Sequence, residues 1–221
     1  ALDYPSALSA YTAAIQAPAL GDDITLDLKV ASTQVSMGDY NSALALYDGI
    51  AARAPNDYIK AQVAYESGLA YQAIGQSEEA LNRFRLAVEQ YPLSYYSYLS
   101  LVALLDAGGT VNQLDRGLVD YFAGQYDVAV AAFNQYLVEN PTNDGTAYYY
   151  RAQSHRDLGN YDAALLDYSK FITDYPTHPR WADAWGEKAF IEWYNLGSYN
   201  VGIKTLLDFV AAVPSSEISA D

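Results

Sequence analysis

The sequence predicts an all-α protein, a solenoid of antiparallel helix pairs, and three observations predict it. A short phrase recurs as Gly38-Asp39-Tyr40-x-x-Ala43-Leu44, Gly75-Gln76-Ser77-x-x-Ala80-Leu81, Gly124-Gln125-Tyr126-x-x-Ala129-Val130, Gly159-Asn160-Tyr161-x-x-Ala164-Leu165 and Gly197-Ser198-Tyr199-x-x-Gly202-Ile203. A proline follows each copy a helix later, at Pro55, Pro92, Pro141, Pro176 and Pro214. Between phrase and proline, apolar residues recur at three- and four-residue steps. A repeat of this length means stacked helix–turn–helix units, each touching only its neighbours.

The chain opens on Asp3-Tyr4-x-x-Ala7-Leu8-x-x-Tyr11 and Pro18, a second helix without its first. First helices are expected at 24–37, 58–74, 111–123, 144–158 and 179–196. Second helices are expected at 41–54, 78–88, 127–138, 162–173 and 200–211. In the first of these, Ala43, Leu44, Tyr47, Ile50 and Ala51 form one stripe. Glu78, Glu79, Asp127 and Asp162 sit in first turns, where the helix dipole favours negative charge. The glycine of each phrase permits the left-handed cap that ends the preceding helix. Ala31, Gly68, Gly117 and Ala152 lie near the middle of first helices, so second helices should cross closely there, with their opening alanines as the other half of the contact. The interval from Gly75 to Gly124 exceeds its neighbours by about one helix at 1.5 Å per residue. The surplus, Ser94–Ala107 closed by Gly108-Gly109, predicts an extra helix and a bend in the stack, dividing it into 1–92, 93–109 and 110–221. After Pro214, Ser215–Asp221 could open another unit, and both ends resemble cuts through a longer array.

These residues carry a resemblance to the tetratricopeptide repeat family: the Gly-x-Tyr/Ser-x-x-Ala turn, the aromatic four residues beyond that alanine (Tyr47, Phe84, Phe133, Tyr168), the closing proline, and Gly68 with Tyr71 in a first helix. The resemblance implies a right-handed superhelix whose concave face binds protein or peptide. It has departures. The usual first-helix tryptophan is replaced by Asp27, Ala64, Gln113 and Tyr148, and the charge at Asp27 should weaken its helix. Gly202 replaces an alanine and Leu206 an aromatic. A narrower stretch, Pro92-Leu93-Ser94-Tyr95-Tyr96-Ser97-Tyr98-Leu99 with Arg116-Gly117-Leu118-Val119-Asp120-Tyr121-Phe122-Ala123-Gly124, resembles the superhelical region of bacterial soluble lytic transglycosylases. That resemblance implies a non-catalytic scaffold outside the cytoplasmic membrane, its export signal beyond this chain, with peptidoglycan engaged through a downstream lysozyme-like domain. A stand-alone adaptor for protein assembly, cytoplasmic location included, is the alternative.

Composition narrows the partners. Net charge is −15, from 12 basic against 27 acidic residues, which disfavours nucleic acid and anionic headgroups. Cysteine is absent, removing thiolate and zinc–sulfur chemistry. No apolar run is long enough for membrane insertion. Exposed apolar ends of a solenoid favour self-association. His155 and His178 fall in different elements and make no metal-ligand pair, so neither metal nor cofactor is expected. Glu66-Ser67 has the form of a lyase catalytic pair but lies directly before the repeat glycine Gly68, which favours a packing role; no catalytic residue is assigned.

Tyrosine stands out at 22 residues. On first helices, Tyr65, Leu69, Leu118, Tyr121, Tyr149, Gln153, Arg156 and Tyr194 should face the concave groove, where a rigid ring with a polar tip suits recognition. Trp181, Trp185 and Trp193 fall on one stripe of the last first helix, suited to stacking between helices. Cations on first helices are too sparse, and Arg116, Arg151 and Arg156 wrongly spaced, for a clamp on a terminal carboxylate.

Overall fold

The computed structural model describes residues 3–16 and 23–213, and the described residues are helical with no strand. Pro18, Pro214 and Ser215–Asp221 lie outside them. The chain divides into two compact units, Ala1–Val111 and Asn112–Asp221.

The first unit holds α1 (Tyr4–Ile15), α2 (Ile24–Ser36), α3 (Tyr40–Arg53), α4 (Asp57–Ala73), α5 (Ser77–Gln90) and α6 (Tyr95–Asp106). Each helix packs on the next, and α4 also packs on α6. First helices begin on side-chain caps: Asp23 accepts from the Thr25 amide at 2.9 Å and Asn56 from the Ile59 amide at 3.0 Å. They end on the repeat glycine. Gly38 has φ 81°, and the Asp39 amide donates back to the Gln34 carbonyl while the Gly38 amide donates to Val35. The same pair of bonds forms at Gly75 and Gly108. This Schellman arrangement satisfies carbonyls that would otherwise lack donors. The expected extra helix is α6, which lies against α4 and α5 where a following first helix would lie. Ser97 ties it to α5 by donating to the Ala87 carbonyl at 2.8 Å.

The second unit holds α7 (Gln113–Phe122), α8 (Tyr126–Glu139), α9 (Thr146–Asp157), α10 (Tyr161–Asp174), α11 (Trp181–Phe190), a π turn (Ile191–Asn195) and α12 (Tyr199–Ala212). Successive helices pack in order, and α7 touches α9. Its core joins Tyr149, Ala152, Ala164, Tyr168, Phe171 and Ile191, all buried.

Four expectations change. Ala31 clusters with Ala43 and Ala152 with Ala164, but at Gly68 and Gly117 the nearest atoms belong to the aromatic of the second helix: a Cβ on Gly68 would stand 2.5 Å from the Phe84 ring, and one on Gly117 2.5 Å from the Phe133 ring. The alanines pack beside that contact in the same clusters. Asp27 does not disrupt α2. It is buried and forms an ion pair with Arg53 at the end of α3, which supplies the compensation a buried carboxylate needs. The last first helix does not run as one α-helix to 196. It widens into the π turn, where the Leu196 amide reaches back to Ile191 and the Ser198 amide to Glu192. Finally, the tryptophan stripe breaks. Trp181 and Trp185 meet Phe209 at 5.7 and 6.0 Å, whereas the wide turn carries Trp193 outward to 42% exposure.

Candidate functional site

In the second unit α9 and α11 enclose an open cleft of about 780 Å³, lined by Tyr149, Gln153, Arg156, Arg180, Ala182, Asp183, Gly186, Glu187 and Phe190. Three residues expected in a groove, Tyr149, Gln153 and Arg156, meet here. Tyr149 is only 4% exposed: its ring packs on Phe171 at 5.5 Å and Tyr168 at 6.0 Å. It is therefore a core residue with an edge on the cleft, rather than a free groove side chain. Gln153, 9% exposed, accepts a 2.5 Å hydrogen bond from the Tyr121 hydroxyl, so Tyr121 serves the cleft by fixing the amide. Burial, with the nearby Asp157 charge, pushes Tyr121 up to about 12; burial, with Asp183 and Glu187, does the same to Tyr149. Both remain protonated donors at neutral pH.

The cations of the cleft are already engaged. Arg156 pairs with Asp157 at 2.9 Å and with Glu187, and Arg180 pairs with Asp183 at 3.0 Å. Burial opposes the Arg156 charge, but Glu187 and Asp157 outweigh it and hold the guanidinium protonated. Arg151 is forked onto Asp167 at 2.5 and 2.7 Å, away from the cleft.

The remaining groove candidates separate. Leu118 packs in the cluster of Ala129, Phe133 and Ala147. Tyr194, 63% exposed, stacks on Phe190 at 4.9 Å, and Trp193 meets it edge-on at 5.6 Å. The π turn thus builds an aromatic step beside the cleft, since Phe190 also lines it. In the first unit, Tyr65 is half-buried against Phe84 and Tyr96, and Leu69 is exposed; neither lines the recess found there.

That recess, about 480 Å³, lies between α1, α2 and α4, and its walls include Tyr11, Lys29, Tyr58, Gln62 and Glu66. None of these was expected in a groove. A signal was available: Lys29 and Glu66 each stand two residues before the small residue of successive first helices, Ala31 and Gly68. Glu66 accepts from the Tyr47 hydroxyl at 2.9 Å and from the Gln62 amide at 2.8 Å. Its neighbour Ser67 is fully buried and donates to the Ala64 carbonyl at 3.1 Å, so the two side chains do not act on a common substrate.

His178 accepts from the Arg180 amide at 3.0 Å through Nδ1, which leaves Nε2 to donate toward Thr146 Oγ1 at 3.3 Å. Its ring meets Phe171 at 4.9 Å, and burial keeps it below the usual imidazole range, as it does His155. Among the described residues no group of His, Cys, Asp or Glu could hold a metal ion, and no helix is long and apolar enough to cross a membrane.

Helix pairs closed by glycine caps, with recesses between first helices, define a repeat scaffold, a class whose members are typically non-catalytic and hold other proteins. Two stretches of this chain, residues 62–94 and 114–179, match models of the tetratricopeptide repeat. No curated protein matches the chain. Similar solved structures include the TPR2AB domain of yeast Sti1 in complex with pHSP90, at 18% identity over 92% of this chain and 81% of that one, TM-score 0.42. A tetratricopeptide repeat protein from Parabacteroides merdae is 19% identical over 98% and 89%, TM-score 0.38. MamA from Desulfovibrio magneticus is 14% identical over 87% and 96%, TM-score 0.41.

Proposed function

We propose that this chain is a non-catalytic scaffold that holds an extended segment of a partner protein in the cleft between α9 and α11. The observation that carries the reading is Gln153, an amide almost wholly buried, locked by Tyr121, and lining a cleft of peptide-accommodating size. A fixed amide beside an exposed aromatic step matches a peptide, which offers backbone donors and acceptors along with apolar side chains. Every described lysine and arginine of the second unit has a carboxylate partner. The cleft therefore grips through amide and ring rather than by clamping a terminal carboxylate.

Gly186 supplies the test. It lines the cleft, and a Cβ added there meets nothing. Peptides selected from a displayed library against the wild-type chain should lose at least about tenfold in affinity with Gly186→Leu, measured by calorimetry on the synthetic peptides. Unchanged affinities would remove the cleft from the function.

The 92–99 and 116–124 motifs support a narrower reading, in which the scaffold works in the cell envelope as the superhelical region of a protein acting on peptidoglycan. Their residues also have folding roles: Ser94 caps α6 by accepting from the Tyr96 amide at 3.3 Å, and Gly124, at φ 76°, ends α7. Co-sedimentation with purified murein sacculi tests any direct contact. A stand-alone adaptor would bind peptide and leave the sacculi unbound.

A further inference from the structure

Glu66 stands apart among the charges of the first unit. A half-buried carboxylate ordinarily needs a cation or several donors. Here both donors, Tyr47 and Gln62, are neutral, and among the described residues no lysine or arginine pairs with it. Two hydrogen bonds leave about half of a carboxylate's acceptor capacity unused. The carboxylate opens onto the recess between α1, α2 and α4. Tyr58 stands in its wall, more than half exposed, braced edge-on by Tyr96 at 5.3 Å.

The opposite wall already holds a cation. Lys29 lies over the Tyr11 ring, 5.7 Å from its centre, and has no carboxylate partner among the described residues. The recess thus accommodates an ammonium against an aromatic face, while Glu66 has no cation among the described residues. The surrounding charge agrees, because the whole chain carries −15.

We propose that this recess is a second binding site, which takes the basic side chain of an arginine or lysine in a partner segment, with Glu66 as its counter-ion and Tyr58 as its aromatic wall. Lys29 acts in this site as a resident competitor. It is exposed and on a flexible stem, so an incoming guanidinium displaces it toward solvent and faces only its screened repulsion. The site is independent of the cleft in the second unit.

Short glycine peptides, capped at both ends and carrying one central arginine, lysine or citrulline, test the proposal by nuclear magnetic resonance titration, with the Gln62 side-chain amide as reporter. The arginine and lysine peptides should shift it saturably. Citrulline, which keeps the shape and loses the charge, should bind at least about tenfold more weakly. Glu66→Gln should weaken the arginine peptide by a similar factor, and Lys29→Ala should leave it as tight or tighter. If Glu66→Gln impairs folding, Ser32→Trp fills the recess from its exposed rim without touching the Glu66 bonds and should abolish the shift. Equal binding of citrulline, loss of binding in Lys29→Ala, retained binding in Ser32→Trp, or no saturable shift at all would overturn the proposal. Gly186→Leu should leave this titration unchanged, which separates it from the cleft between α9 and α11.

Discussion

The Phe84 ring occupies the space beside Gly68 so closely that a Cβ there would fall 2.5 Å from its Cε1 and 2.7 Å from its Cδ1. Phe84 is fully buried, so it cannot swing aside. Gly68→Ala should therefore cost about 1–3 kcal/mol, the usual penalty of overpacking a dense core. Gly49, also inside a helix, has nothing within 4 Å of its added Cβ. Gly49→Ala should stabilise by about 0.5–1 kcal/mol, because alanine has less backbone entropy to lose. Urea unfolding of the two variants checks both signs.

Asp120 should make the protein less stable as pH rises. Its carboxyl is buried, and Arg116 Nε stands 3.5 Å away, too far for a good hydrogen bond. Burial wins over the Arg116 charge and pushes Asp120 up to about 6. An unfolded aspartate ionises near about 4. A group harder to ionise when folded contributes stability below the unfolded value and loses it as pH climbs through the folded one. Stability should thus fall between about pH 4 and 6, by about 2–3 kcal/mol from this group. Asp120→Asn should flatten that window and stabilise at pH 7; chemical denaturation across pH reads it.

The π turn rests on a buried polar cluster. Glu192 accepts from Thr205 at 2.6 Å and from Lys188 at 2.7 Å, locking the turn onto α12. Thr205→Val keeps the shape and removes one donor from a buried carboxylate. The loss should be about 1–3 kcal/mol, and amide exchange around 191–195 should report a looser turn.

Tyr121→Phe should leave the Gln153 carbonyl oxygen buried without its donor. A cost of about 1–3 kcal/mol is expected in thermal unfolding. Peptides that bind the cleft should weaken even though Tyr121 does not line it, because the Gln153 amide is no longer held.

The repeat was readable because its signals are local. Each Gly-x-Tyr/Ser phrase encodes a left-handed cap and the start of a helix, and helix bounds fall within a residue or two of those expected, except at α11, which gives way to the π turn after Phe190. The small residue of each first helix was readable too, but the partner of Gly68 and of Gly117 was not. Spacing shows which face a residue lies on, whereas the reach of a phenyl ring decides that Phe84 and Phe133, not Ala80 and Ala129, fill the gap.

The amino-acid order alone determined the helix pairs, their caps and the acidic, cysteine-free surface, since these follow from near-neighbour chemistry and composition. Tertiary structure alone decided the rest. Asp27 became tolerable because Arg53 arrives from the next helix. Tyr149 entered the core because Phe171 and Tyr168 cover it, and Trp193 left its stripe because the π turn, held on Thr205 through Glu192, widens the helix there. Glu66 opened onto a recess because α1 and α2 stand across from it. In each case the free energy of the side chain depends on residues distant in sequence, and a periodic pattern carries no record of them.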